Sequence, residues 1–163
     1  MTYTDWADKH LASRQEIQGE LEAHGCSREQ VIDYFDFDSM VVNEPDFCPL
    51  YKTNTKCHST GKLNCYLCAC PHFKCADEPL ETRIDGTKVF SVCMIASTKA
   101  NTFNSDGNIH CDCSSCLVPH NTSVALKHYD TSVVHRPIQD SCSILEHIRA
   151  FQLSDIFGKY KLF

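Results

Sequence analysis

The stretches Cys65-Tyr66-Leu67-Cys68-Ala69-Cys70-Pro71 and Cys111-Asp112-Cys113-Ser114-Ser115-Cys116 decide how this chain is read. The first is a CxxCxC run and the second a CxCxxC run, mirror images in spacing. Other cysteines and histidines gather around them. Cys48 precedes Cys57-His58 by nine residues, Cys75 follows Cys70 by five, Cys93 stands alone between the runs, and Pro119-His120 closes the series. Ten of the 12 cysteines therefore lie between Cys48 and Cys116.

Such spacing has a geometric reason. A metal bound by thiolates needs several soft donors converging at about 2.3 Å from one point. A CxxC turn aims two sulfurs at a shared point, and its backbone N–H groups face them and offset their charge. Two such turns from distant parts of a chain complete a four-ligand site. Structural zinc returns roughly 10 to 16 kcal/mol, against about 5 to 15 kcal/mol for the whole stability of a small domain. Loss of metal is accordingly expected to unfold the middle of the chain. A disulfide framework more often spaces its cysteines out than packs them as CxC.

The N-terminus, MTYTDWADKHLASRQEIQGE, lacks the basic start, apolar centre and small-residue cleavage site of a secretory signal. The expected location is the cytoplasm, where disulfides are rare. The 163 residues suit one domain or a small core with helical extensions. No apolar run approaches the roughly 18 to 20 residues of a membrane span. The net charge of −6 is uneven: residues 1–47 carry three Lys/Arg and eleven Asp/Glu, or −8. Residues 48–120 carry seven against six and residues 121–163 five against four, +1 each. A nearly neutral cysteine-rich region is poorly equipped to grip phosphate backbones, which argues against nucleic acid as a partner.

Three parts follow: an acidic helical N-terminal arm at 1–47, a cysteine-rich metal-binding domain at 48–120, and a C-terminal extension at 121–163 with a short amphipathic helix. The fold class expected is α+β, a small loop-rich domain stabilised by metal and flanked by helices. In the first part, Thr4 opens a helix carrying Trp6, Leu11, Ile17 and Leu21 on an imperfect apolar stripe. Gly25 fits a left-handed helix end, and Ser27 with Gln30 fits a capping box before Val31, Ile32, Tyr34 and Phe35. In the middle, Asp85-Gly86 and Asp106-Gly107 read as turns, and Lys88 to Ala96 as one strand. In the last part, His135-Arg136-Pro137 reads as a loop before a helix capped by Ser141 or Ser143, with Ile144, Leu145, Ile148 and Phe151 on one face.

The ordered pattern Cys48, Cys57-His58, Cys65xxCys68xCys70-Pro71, Cys75, Asp112-Cys113-Ser-Ser-Cys116xx-Pro119-His120 resembles the cysteine-rich small domain. This is a prokaryotic family described as metal-binding, whose members occur alone or joined to other proteins, including enzymes that make cobamide cofactors. The likeness covers roughly residues 46 to 125, and no such enzyme domain accompanies it in this chain. It implies eight ligands, Cys48, Cys57, Cys65, Cys68, Cys70, Cys75, Cys113 and Cys116, enough for two four-thiolate sites. Alternatively, His58 or His120 joins a second site. Cys93, within a longer Ala76–His110 stretch, and Cys111 depart from the family pattern, and each either replaces a family ligand or is a bystander.

Soft thiolates suit zinc and iron–sulfur clusters alike, so one or two clusters, including the 4Fe–4S type, and zinc both stand as cofactors. His58 and His120 are the best-placed imidazoles, with His72 and His110 behind them. Cys26 and Cys142 read as small buried residues of helical segments. No nucleophile elbow or other thiol-enzyme signature is present, and no catalytic residue is assigned. The first function expected is a metal-binding accessory protein, a structural adaptor for a protein partner. An electron-transfer or redox-sensing protein and a metalloenzyme with an open coordination site are the alternatives. Oligomeric state is not legible.

Overall fold

A computed structural model of the chain describes residues 3–131 and has an α+β architecture. Three helices open it: α1 (Tyr3–Ala23), α2 (Arg28–Tyr34) and α3 (Phe37–Asn43). Gly25 stops the first with φ at +82°, a left-handed conformation that glycine adopts without strain. The capping box then forms as expected. Ser27 N–H donates to Gln30 Oε1 at 2.8 Å and Gln30 N–H to Ser27 Oγ at 3.3 Å, satisfying two otherwise orphaned donors at the start of α2.

The expected stripe on α1 is only partly the buried one. Leu21 is buried, but Leu11 is exposed, and His10 and Gln18 are buried in place of apolar residues. Gln18 is tolerated because every arm of its amide is paired. Its Nε2 donates to the Asp130 carbonyl at 2.6 Å and to Glu22 Oε1 at 2.8 Å, and its Oε1 accepts from the Tyr66 hydroxyl at 2.7 Å. A polar clamp rather than an apolar stripe fixes α1.

Val31 and Ile32 from α2, Phe35 just past its end, and Phe37 and Met40 from α3 form one core with Leu63, Tyr66, Leu67 and, from α4 (Thr122–Lys127), Ala125. Burying each of the larger side chains is worth about 1.5 to 3 kcal/mol. The first half of the CxxCxC run thus belongs to the helical core, and Cys65 is itself only 2% exposed.

The remainder is short strands. β1 (Phe73–Cys75) pairs antiparallel with β4 (Ser91–Cys93). The second sheet has order β2-β3-β6-β5, from β2 (Glu81–Thr82), β3 (Lys88–Val89), β5 (Asn101–Ser105) and β6 (Asn108–Asp112), with β3 parallel to β6. Lys88 to Ala96 is consequently not one strand. The break falls at Phe90, whose N–H donates to Ile109 of β6 at 3.0 Å while its carbonyl accepts from Ala76, just past β1, at 3.1 Å. One residue serves both sheets, so the chain changes partner there. Asp85-Gly86 turns between β2 and β3. Asp106 and Gly107, at φ +51° and +79°, form the two-residue hairpin between β5 and β6 that matches strand twist. Between Cys70 and Cys116 only Val89, Ser91 and Cys116 are buried, so this half has almost no apolar core.

Among the described residues no helix is long and apolar enough to cross a membrane. Cys26 is buried beside the helical core and is disulfide-bonded rather than a free thiol. Cys142 and the expected helix after Ser141 lie outside the described residues.

Asn64, fully buried, joins the two halves. Its Nδ2 donates to the Ile32 carbonyl at 2.7 Å and Asp36 Oδ1 at 3.1 Å, and its Oδ1 accepts from Tyr66 N–H at 3.0 Å. Asn64→Ala strands a buried carbonyl and a buried N–H at about 1 to 3 kcal/mol each, so an overall loss of roughly 2 to 6 kcal/mol is expected in urea unfolding. A loss below about 1 kcal/mol would contradict this role.

Candidate metal centre

All ten cysteines from Cys48 to Cys116 are free thiols. Cys75, Cys93 and Cys111 lie on strands, and local turns set most of the others. Pro49 opens a 3₁₀ turn after Cys48, and Asn54, left-handed at φ +49°, ends it. Lys56 then ties the Cys57-His58 loop by donating to the carbonyls of Thr60 at 3.3 Å and Gly61 at 2.7 Å. Leu63 and Cys65 enter the core through backbone bonds: Phe37 N–H to Leu63 O at 2.8 Å and Cys65 N–H to Phe35 O at 2.7 Å. The CxxC turns close through Cys68 N–H to Cys65 O at 3.4 Å and Cys116 N–H to Cys113 O at 2.9 Å. Asp112 serves the second of these as a turn residue, accepting from Ser114 N–H at 2.8 Å.

These turns face one cavity of about 360 Å³. Cys57, Cys68, Cys70, Cys93, Cys111, Cys113 and Cys116 line it, with His58, His72 and His120. Four stretches of chain (57–58, 68–72, 93 and 111–120) supply these groups. Cys48, Cys65 and Cys75 are not in its wall.

The thiols fall into two electrostatic neighbourhoods. Cys68 is held well above the usual thiol range by its bond to Cys65 and by burial, and it also stands in the fields of Cys57 and Cys48. Cys65 is lowered, because the Cys68 thiol donates to it. Burial and then the charges of Cys65 and Cys48 raise Cys57. The other group contains Cys70, raised by burial and by Cys116 and Cys93, and Cys113, pushed up to about 12 by burial and by Cys111, Cys93 and Cys116. Cys111 Sγ lies 3.6 Å from Cys113 Sγ. Burial and the thiolates of Cys70, Cys75 and Cys113 raise the Tyr3 hydroxyl to about 12. The CxxCxC run is therefore divided in its partners: Cys65 and Cys68 act on each other, while Cys70 lies in the fields of Cys93 and Cys116, although Cys68 and Cys70 line the same cavity.

Cys57, His58 and His120 form the tightest donor set, their ligating atoms all within 4.8 Å of one another. His120 is buried, and its Nδ1 lies 2.9 Å from the Asn64 carbonyl. A carbonyl only accepts, so Nδ1 carries the proton. Nε2 then keeps its lone pair, 3.8 Å from Cys57 Sγ. Burial also lowers the His120 pKa and favours the neutral ring. This carbonyl-oriented imidazole is the arrangement common among zinc-ligating histidines. His58 Nδ1 lies 3.1 Å from Cys57 Sγ, and its Nε2 is buried with no hydrogen-bond partner. An orphaned buried nitrogen beside a thiol and a neutral imidazole fits a thiophilic cation such as zinc.

His110 lies instead between the rings of Phe90 and Phe103, at centroid distances of 5.7 and 5.3 Å. Asn64, Tyr3 and Ser97 are site residues that the cysteine pattern does not reveal. Only Asn64 carries a sequence signal, a polar residue directly before an otherwise apolar and cysteine stretch. No family model, curated protein or solved structure matches the chain.

His120→Ala is expected to weaken zinc binding by about 100-fold or more in competition with a chelating indicator, since loss of even an outer-shell partner costs about 10 to 100-fold. His110→Ala should leave that affinity unchanged. Equal affinities for the two variants would remove His120 from the site.

Proposed function

We propose that the chain is a metal-binding accessory protein, an adaptor whose cysteine-rich half is shaped by thiolate-held zinc or iron–sulfur and which docks on a protein partner. The observation that carries the reading is the cavity into which seven free thiols and three imidazoles from four stretches of chain converge. Thiols crowded in this way raise one another's pKa, and a bound cation reverses that cost by favouring the thiolate at each donor. The residues that would hold metal are Cys57, His58 and His120 on one side, with Cys48, Cys65 and Cys68 behind them, and the second thiol group opposite. A bound metal supplies cross-linking of chain segments, or redox chemistry where it is an iron–sulfur cluster.

The adaptor part draws support from charge. Glu16, Glu20, Glu44 and Asp46 line a groove between α1 and the end of α3. Burial, and then the charges of Glu20 and Glu16, raise the Glu44 pKa against the hydrogen bond that it accepts from Tyr34. A basic protein surface is the partner chemistry that this face suits. One feature favours the electron-transfer alternative. Exposed Phe103 and Ile95 stand in the cavity wall, leaving the second thiol group one side chain from solvent.

Elemental analysis with an absorption spectrum on protein purified without oxygen tests the reading. Zinc in a colourless protein is the result expected of the adaptor. Iron with acid-labile sulfide and a reducible chromophore would replace the adaptor by the electron-transfer reading. Neither metal, with the thiols oxidised in pairs, would overturn both.

A further inference from the structure

We propose that Cys93, a cysteine outside the family pattern, completes a second, all-thiolate metal centre with Cys70, Cys113 and Cys116, separate from the Cys/His site at Cys57. This centre rests on the metal-binding reading and assigns its second group of ligands.

Cys93 reaches this group through strand register. It ends β4 directly opposite Phe73 of β1, and Phe73 N–H closes a turn onto the Cys70 carbonyl at 3.1 Å. Met94 N–H donates to the His72 carbonyl at 2.8 Å, which holds the end of β4 against the Cys70–Phe73 turn. Cys70 and Cys93 are thereby brought to the same end of the two-stranded ribbon. Ser97 then ties Cys93 to the other run. Its N–H donates to Cys93 Sγ at 3.5 Å, and its Oγ lies 3.6 Å from Cys116 Sγ. The chain can turn back at this point because Ala96 takes a left-handed conformation, φ +45°, with its N–H on the Cys93 carbonyl at 3.2 Å. The CxxC turn from Cys113 to Cys116 supplies the remaining two sulfurs, and all four cysteines line the cavity. Among the described residues only Cys57, His58 and His120 already hold their ligating atoms within 4.8 Å of one another, so metal binding at this second centre draws its sulfurs together.

The register separates Cys75 from this set. It pairs with Ser91, two residues along from the Phe73–Cys93 pair, a displacement of about 6.6 Å along the strand. The serine opposite it is engaged elsewhere: Ser91 Oγ accepts from Cys111 N–H at 2.8 Å. Cys75 is absent from the cavity wall. The family resemblance names Cys75 as a ligand and leaves Cys93 out, and the structure assigns the reverse. Four thiolates without an imidazole form a softer donor set than Cys57, His58 and His120, suited to zinc or an iron–sulfur cluster and poorly suited to hard cations.

The test uses the full chain, stripped of metal under reducing conditions and reloaded with zinc alone. Alkylation by iodoacetamide, read by mass spectrometry, should modify Cys93 at least about tenfold more slowly than Cys75, and a chelator should abolish the difference. Cys93 alkylated as fast with zinc as after chelation would overturn the proposal, and this measurement needs no mutant to fold. In zinc-binding stoichiometry, Cys93→Ser should halve the zinc held, Cys75→Ser should hold as much as wild type, and Cys93→His should restore the lost half. Wild-type stoichiometry in Cys93→Ser, with loss in Cys75→Ser, would overturn this assignment while leaving the metal-binding reading in place. A wild-type chain that takes up no zinc and arrives without iron would remove both.

Discussion

Asn64 is the joint on which the rest of the molecule turns. Its side chain pins α2 and the start of α3 to the first cysteine run, and its main chain pins that run to the second. Asn64 N–H donates to the His120 carbonyl at 3.1 Å, and its own carbonyl accepts from His120 Nδ1. A single buried residue thus fixes the tautomer of the best-placed imidazole while satisfying the backbone where an ordered core meets a loop-rich basin. Unpaired groups at such depth are costly, so the arrangement holds together as a unit.

The two halves joined there are stabilised differently. The helical half buries large apolar and aromatic side chains: Phe35, for example, meets Tyr66 and Phe47 edge-on at centroid distances of 5.2 and 5.9 Å. The strand half has few buried residues and short, partly exposed ladders, and burial with neighbouring thiols pushes the Cys113 thiol up. A polypeptide of that composition lacks the burial needed to offset the entropy of ordering it. In the proposed reading, coordination supplies the missing cross-links, and it does so where burial and mutual repulsion of thiolates make a cation most favourable.

Local signals were the legible part of the sequence. The capping box at Ser27 and Gln30, the glycine end at Gly25 and the Asp106-Gly107 hairpin are each set by a few adjacent residues, and each appears as expected. What depends on tertiary partners was not legible. Leu11 looked like a core residue, yet α1 is anchored by Gln18, because Tyr66 and Asp130 supply partners from distant segments. The stretch from Lys88 to Ala96 read as one strand because its apolar pattern is continuous. Phe90 divides it only because two sheets compete for its backbone. For the site, spacing identified the cysteines but not which of them face one another. Division of Cys65 and Cys68 from Cys70 follows from a turn onto Phe73, and the approach of Cys93 follows from strand register. Neither leaves a mark in spacing.

In the proposed reading metal, rather than apolar burial, holds the strand half on the helical half. Hydrogen exchange of the full chain before and after chelation under reducing conditions tests it most directly. Amides of residues 73–112 are expected to lose protection by on the order of 100-fold or more on metal removal, while those of α2, α3 and residues 63–67 keep most of theirs. Unchanged protection across residues 73–112 in the stripped protein would contradict it.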